Sequence, residues 1–462
     1  MKRKLTAIVV VIVIAVSAIS AIAAYWLVTK PDANAHSPID IWSDAGFTKE
    51  NGVISGTGSA PDPYIIEGWK IKAPNNGGGI SVKATRAHFV IRNTTITGNF
   101  NSYGVGVFDA WNWIIEGCDI TRHFTGIHVF NSAFCAIINN SLLEGGAIEL
   151  IQSRDCTISQ NVMSNVTHWP GVICALTISE CRNTTVTSNE FINCGISINT
   201  DVRDSESITV TPDNLVNGRP VIYRAGEENI TLSDTELGQL MFVNCTNVKM
   251  SHLILSGGAQ GIAIMNVTNC QITACEIGEV ASAGFSASGS RNFTVEDCVF
   301  TSRVWIFSCS QFILGNNTST NPGGFWGNAW DLVDSDNFTA SGNQLSDSTK
   351  AVEMNGCENA TVCENNISDN DEGIRFFACD HLIVYHNNFF ENNVSIYAEL
   401  SSSLELDNGY PSGGNFWSDY VGVDAYQGAD QLTLGADGIG DTSYEVTGAI
   451  EDRYPLMEPY TS

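Results

Sequence analysis

The sequence predicts a parallel β-helix, and three observations lead there: a repeat of about 22 residues, alternating apolar positions inside each repeat, and a surface poor in charge. One phrase recurs along the chain, Gly-Ile-x-apolar, then a few polar residues, then apolar-x-apolar and a polar corner. It stands at Gly126-Ile127-His128-Val129, Gly195-Ile196-Ser197-Ile198, Gly261-Ile262-Ala263-Ile264 and Gly373-Ile374-Arg375-Phe376. Aligned on the central inward residue of the second strand, the series runs Ile91, Ile115, Ile138, Ile158, Val186, Val210, Leu232, Met250, Ile272, Val295, Leu314, Ala340, Val362 and Val384, with a mean step of 22.5 residues. Helix-pair repeats need about 33–47 residues, so they are excluded. Leucine-rich repeats share the period but require a Leu framework and helix formers that are absent. One coil of two or three short strands fits. Every second residue then points inward, and about 14 coils at ~4.8 Å each stack into one rod of roughly 60 Å around one continuous column.

Charge supports this and excludes several partners. Only 16% of the chain is charged, and Lys+Arg number 22 against 50 Asp+Glu, a net charge of −28. A helical protein needs more charge on its wet faces. A nucleic-acid partner needs a basic face, and docking on anionic lipid needs basic patches.

The first element is a targeting segment. After Lys2, Arg3 and Lys4, the stretch from Leu5 to Val28 runs 24 residues without a charge. As a helix it spans roughly 36 Å, enough to cross a bilayer with some tilt. A cleavage site at Ala21-Ile22-Ala23 is the alternative. Either way the bulk of the chain is expected outside the membrane, held by a single N-terminal transmembrane helix or secreted if the signal is cut. The expected organisation is a membrane anchor or signal over 1–30, an N-terminal cap over 31–70, β-helix repeats over 71–400 and a C-terminal cap over 401–462.

In the body, Asn161, Asn189, Asn317, Asn343, Asn365 and Asn387 stand three residues after the inward anchor, with Cys118, Cys275 and Cys298 in the same column. Asn tolerates the left-handed conformation of a tight corner, and stacked amides hydrogen-bond along a rod. Most of the 14 cysteines occupy repeat positions, which reads as small thiols filling corner columns. Cys357/Cys379 and Cys275/Cys298 fall on adjacent coils, where a disulfide is sterically allowed. Fourteen Asn-x-Ser/Thr triplets fit an exported glycoprotein, although corner Asn followed by strand Thr generates such triplets unaided.

The ends leave the repeat. They contain Gly56-Thr57-Gly58, Asp62-Pro63-Tyr64-Ile65-Ile66-Glu67-Gly68-Trp69, Gly413-Gly414-Asn415-Phe416-Trp417-Ser418-Asp419-Tyr420, Asp437-Gly438-Ile439-Gly440-Asp441 and Tyr454-Pro455-Leu456. With these phrases the chain resembles the NosD-type β-helix family, including its archaeal cell-surface members. The resemblance covers about residues 39–460. It implies an all-β, right-handed parallel β-helix outside the membrane, and its named role is periplasmic copper handling for maturation of a reductase.

Chemistry is less legible. No Gly-x-Ser-x-Gly, His-Glu-x-x-His or phosphate-loop motif occurs. On consecutive Gly-Ile-x-apolar strands the outward residues are Trp305, Asp331, Glu353 and Arg375, expected about 5 Å apart in a line. Two carboxylates at that spacing suit sugar binding, a glycosidase pair or a cation, whereas a solvated charge ladder with Arg375 offsetting Glu353 is the plain alternative. Trp326 and Trp330 are candidates to stack on a sugar. Asp437 and Asp441, in a Gly-rich acidic loop with Asp424 and Asp430 near, offer oxygen ligands suited to Ca²⁺, but the full Asp-x-Asp-x-Asp-Gly pattern is missing. Copper, implied by the resemblance alone, would need clustered His, Met or Cys, and the eight His are scattered, with His123/His128 and His381/His386 the only close pairs. The leading expectation is a membrane-anchored extracellular or periplasmic protein that binds a cell-envelope glycan or surface protein, without nucleic acid. A NosD-like copper-delivery accessory protein and a polysaccharide lyase or hydrolase are the alternatives.

Overall fold

The computed structural model describes residues 34–166, 174–200, 202–278, 280–321, 327–447 and 450–461. The anchor expected over 1–30 lies outside them, and among the described residues no helix is long and apolar enough to cross a membrane. The chain is a parallel β-solenoid of about 15 turns. One coil shows the plan: Thr125–Phe130, Ala133–Ile138 and Ser141–Leu143 are its three strands. Ile127 pairs with Val105 and Ile148, Ile137 with Ile115 and Ile158, and Leu142 with Ile120 and Met163. All of these side chains are fully buried, because alternation sends every second residue of each strand to the axis. The expected inward anchor Ile138 is one residue out: Ile137 is the core residue, and Ile138 points away. A one-residue slip reverses the face of every side chain in a strand.

That slip hid a ladder residue. Asn140 precedes Asn161, Asn189 and Asn214 in the first half of the chain, and Cys275, Cys298, Asn317, Asn343, Asn365, Asn387 and Asn415 form the column in the second. Each ladder amide does the same work. The Asn343 amide nitrogen donates to the Leu314 carbonyl at 2.9 Å and to Asn365 Oδ1 at 2.8 Å, while its oxygen accepts from the Asn317 backbone N–H at 2.8 Å. The left-handed residue is not the ladder Asn. It is the residue before it: Gln160, Ser188, Asn316, Gly342, Glu364 and His386 all have positive φ. The ladder Asn is therefore selected for its amide. Cysteine serves as a weaker substitute, with Cys298 Sγ accepting from the Cys275 N–H at 3.4 Å.

The expected single column is two. One core contains Ile39 through Val216, the other Leu237 through Trp417. Between them, Leu215–Val216 and Arg219–Ala225 form an antiparallel hairpin. Its turn is Asn217-Gly218, with φ of 49° and 77°, the pair of positive values a two-residue type I′ turn demands. The sheet runs straight through this hairpin, with Arg219–Ala225 pairing in parallel with Gln239–Val243. A solenoid that keeps its hand after its strands reverse must wind on the opposite face of that sheet. All five residues of Gln239–Val243 are accordingly buried, Met241 and Val243 against the first core, Leu240 and Phe242 inside the second. The buried Gln239 side chain docks on Gly195–Asn199, the strand at the edge of its sheet in the first solenoid: its amide oxygen accepts from the Ile196 N–H at 3.0 Å and its nitrogen donates to the Ile196 carbonyl at 2.6 Å.

Coiling begins at Ile39–Ile41, which pairs with Ile80 to Val82, so stacking starts inside the stretch expected as a cap. At the other end Asp452 closes the Asn ladder. Its Oδ2 accepts from the Asn415 N–H at 2.7 Å and from Trp417 Nε1 at 2.9 Å, and its Oδ1 from the Tyr454 N–H at 3.0 Å. A side chain at Gly414 would strike this carboxylate, its Cβ falling 1.9 Å from Oδ1. Cys135 and Cys156, on adjacent coils with Cα atoms 4.6 Å apart, form a disulfide. The two pairs expected to be able to bridge, Cys357/Cys379 and Cys275/Cys298, are free buried thiols.

Candidate functional site

The register places Trp305, Asp331, Glu353 and Arg375 in one column on consecutive coils, followed by Tyr397 and preceded by Ser286 and Ala263. This column occupies the outer face of the sheet that crosses the hairpin.

Its charges are held in local pairs. Asp331 is buried against Arg303 and accepts from Asn328 Nδ2 at 2.8 Å. The same Asn328 nitrogen lies 2.8 Å from Glu353 Oε2, so one amide bridges both carboxylates. Lys350 donates to Glu353 at 2.8 Å. Arg375 pairs with Glu372 at 3.3 Å and lies over the Tyr397 ring at 4.6 Å. The partner expected for Glu353, Arg375, is thus displaced by Lys350, three residues before it on the same strand. Burial pushes the Asp331 carboxyl up despite Arg303. Burial also raises Glu353, but Lys350, the Asn328 amide and the Arg375 charge together outweigh it and hold the carboxyl down. A pair split in this way resembles an acid and a base. Here, however, the acid is covered and ion-paired, and the group presented to solvent is Glu353 with its amide and ammonium neighbours.

Trp305 has a second setting that the sequence concealed. Because the second solenoid winds on the far face of the shared sheet, the end of the first solenoid overhangs its outer surface. A cleft of about 630 Å³ opens in the corner. Ser197, Ile198 and Asn199 form one wall, Met241, Met265 and Tyr223 the inner end, and Trp305 with Phe307 the other wall. The two rings lie 15° from parallel with centroids 6.0 Å apart. The floor is small, with Ala263, Ser286 and Ser288. Gln260 and Asn266 supply amides, and among the described residues no ionisable side chain other than the Tyr223 phenol lines the cleft. That phenol donates to the Ser205 carbonyl, and burial pushes its pKa well up. The signal that would have exposed the cleft is the Asn217-Gly218 hairpin.

The other candidates fare differently. Trp330 is in the core, one residue along from Asp331 and on the opposite face, and Trp326 lies outside the described residues. Asp437 and Asp441 accept hydrogen bonds from the backbone of their own loop. Asp441 accepts from the Ala425 and Tyr426 N–H groups at 3.0 Å each, Asp437 from Ile439 at 3.1 Å and Gly428 at 3.3 Å, and Asp424 from Asp437 and Gly438 at 3.1 and 2.8 Å. These carboxylates tie the loop together through its backbone. Among the described residues no group of three or more His, Cys, Asp or Glu is placed to hold a metal ion. His123 is fully buried, with burial lowering its pKa to about 4, His128 bonds Glu149 at 2.8 Å, and His386 stacks on Tyr460 at 4.1 Å. The described residues therefore do not fit a copper centre.

The architecture defines a class, the right-handed parallel β-helix: residues 78–237 match the family described as right handed beta helix region. Residues 213–422 match the periplasmic copper-binding protein (NosD) family. The chain is thus similar to both families, each over less than half of its length. The two matches meet at the hairpin where the solenoid changes face. No curated protein matches the chain. Among solved structures it is similar to a double mutant of the periplasmic alginate epimerase AlgG, at 11% identity over 74% of this chain and 84% of that one, TM-score 0.29. A PL6 alginate lyase in complex with a trisaccharide matches at 11% identity over 82% and 90%, TM-score 0.30. A tailspike protein of bacteriophage CBA120 matches at 10% over 79% and 57%, TM-score 0.26. Likeness this distant says nothing about substrate.

Proposed function

We propose that this is an exported carbohydrate-binding β-helix protein of the cell envelope, and that its ligand lies in the cleft between the solenoids and along the column that leaves it. One observation carries the reading: Trp305 is at once a wall of the cleft and the head of the column containing Asp331, Glu353 and Arg375. Sugar rings have apolar faces that stack on aromatic rings and rims of hydroxyls that hydrogen-bond amides and carboxylates. The cleft offers the first in Trp305 and Phe307 and the second in Asn199, Gln260, Asn266 and the serines. Beyond Trp305, the exposed edge of Glu353 accepts hydroxyl donors, and Arg375 supplies N–H groups. Export is supported by the apolar N-terminal run and the Cys135–Cys156 disulfide, which persists in oxidising compartments.

The test is calorimetry of the full chain against cello-, chito- and manno-hexasaccharides, with Trp305→Ala as the comparison. Loss of the stacking wall should weaken binding at least tenfold, since an aromatic contact is worth about 0.5–1.5 kcal/mol beyond the area it buries. Equal affinity of the two proteins for every sugar they bind, or no binding by the natural chain, refutes the reading.

A further inference from the structure

The first solenoid carries an outward row of its own. On its Gly-Ile-x-apolar strands, Gly106 pairs with His128 and His128 with Glu149, while Lys83 pairs with Phe108 in the adjacent column. The His128 ring and Glu149 share a hydrogen bond of 2.8 Å and are both partly open to solvent. Phe108 lies 5.4 Å from the His128 ring. The Lys83 ammonium is 5.0 Å from the Phe108 ring and 4.2 Å from that of Trp42, which is 65% exposed. Lys83 has no carboxylate partner among the described residues, in a chain where acids outnumber bases 50 to 22. The platform is given room by glycine: a Cβ at Gly106 would come within 2.6 Å of the Phe108 and Tyr103 rings.

We infer that this row, Trp42, Lys83, Phe108, His128 and Glu149, is a second carbohydrate site, on the first solenoid several coils before the cleft. It takes one or two sugar units of the same polysaccharide. The inference rests on the reading of the cleft given above. Aromatic faces alternate here with a free ammonium, an imidazole and a carboxylate, which is the mixture that holds a pyranose by its face and its hydroxyls together. An apolar protein partner would cover the Lys83 ammonium without offering it a hydrogen-bond acceptor. Two such sites on one rigid body make the chain bivalent toward a polymer, so polymer affinity exceeds that of either site by the effective concentration the rod imposes.

The experiment measures stoichiometry on the full chain with the hexasaccharide that binds best, and affinity for the parent polysaccharide. The natural chain should bind two oligosaccharides, Trp305→Ala one, Trp42→Ala with Lys83→Ala one, and the combined variant none. Either single-site loss should weaken polymer binding at least tenfold. Trp42 and Lys83 are surface residues, and an unchanged melting temperature confirms the fold of that variant. One site in the natural chain, unaffected by the Trp42/Lys83 changes and abolished by Trp305→Ala, overturns this inference and leaves the cleft reading standing. Absence of binding by the natural chain, or indifference to Trp305→Ala, overturns the cleft reading and the second site with it.

Discussion

Replacing Asn343 with Ala tests the claim that the amide ladder holds the coils in register. Asn343 is fully buried and its side chain makes four hydrogen bonds: to the Leu314 carbonyl, to Asn365 Oδ1, and from the Asn317 backbone and side-chain N–H groups. Alanine removes all of these and lets no water in, because the site lies between stacked coils. Each buried group left unsatisfied costs about 1–3 kcal/mol. Partial relaxation keeps the total below the sum, so the expected loss is about 3–5 kcal/mol. Asn343 does not have positive φ, so alanine introduces no backbone strain to confuse the result. The control is Asn269→Gly, which removes an exposed ladder in which Asn269 accepts from Asn292 at 2.6 Å and donates to Asn247 at 3.0 Å, at a position where φ is 58° and glycine is at ease. Water replaces those bonds, so the control should lose under about 1 kcal/mol. Asn343→Cys should fall between, since thiols serve the same column at Cys298. The assay is urea unfolding followed by circular dichroism, with the slope compared across variants to detect loss of cooperativity. Equal destabilisation by Asn343→Ala and Asn269→Gly would refute the ladder as a structural element.

The C-terminal closure should be pH-dependent through Asp452, whose carboxyl burial pushes up to about 7. The folded chain then holds a proton that the unfolded chain releases near pH 4, so this group makes stability fall as pH rises from about 4 to 7, on the order of 4 kcal/mol at most; a melting temperature flat or rising over that window after Asp452→Asn, and falling before it, is the expected signature. Replacing Ile272, a fully buried residue between Met250 and Val295, with Asp should cost several kcal/mol, and an unchanged melting temperature would disprove the register. Asp441→Ala should loosen the 424–441 loop equally with millimolar Ca²⁺ and with chelator, since its carboxylate receives backbone N–H groups; a Ca²⁺-specific rise in melting temperature that this variant abolishes would restore a cation site.

How far the chain could be read in advance follows from the range of the interactions. The period, the alternation and the Asn column come from contacts between equivalent residues one coil apart, and those leave a periodic trace. The anchors Ile115, Ile158, Ile272 and Val362 were legible for that reason. So was the line from Trp305 to Arg375, because register follows once the period is known. The slip at Ile138 shows the limit: Ile137 and Ile138 are equally apolar, and only the pairing with Ile115 and Ile158 decides which faces the axis. The pairing of Glu353 with Lys350, and the loss of Asp437 and Asp441 to backbone donors, depend on side-chain reach that a residue pattern does not encode.

By itself, then, the sequence determined a stack of parallel coils with aliphatic interior, amide corners and acidic, aromatic closure, because each coil meets only its neighbours and local preference repeats. The tertiary structure decided where the stack changes face. Two residues, Asn217 and Gly218, reverse the strand direction, and a solenoid of fixed hand must then build its core on the other side of the shared sheet. The cleft beneath Ile198 and beside Trp305 exists only because those two solenoids are offset, so its lining comes from segments more than a hundred residues apart that share no pattern.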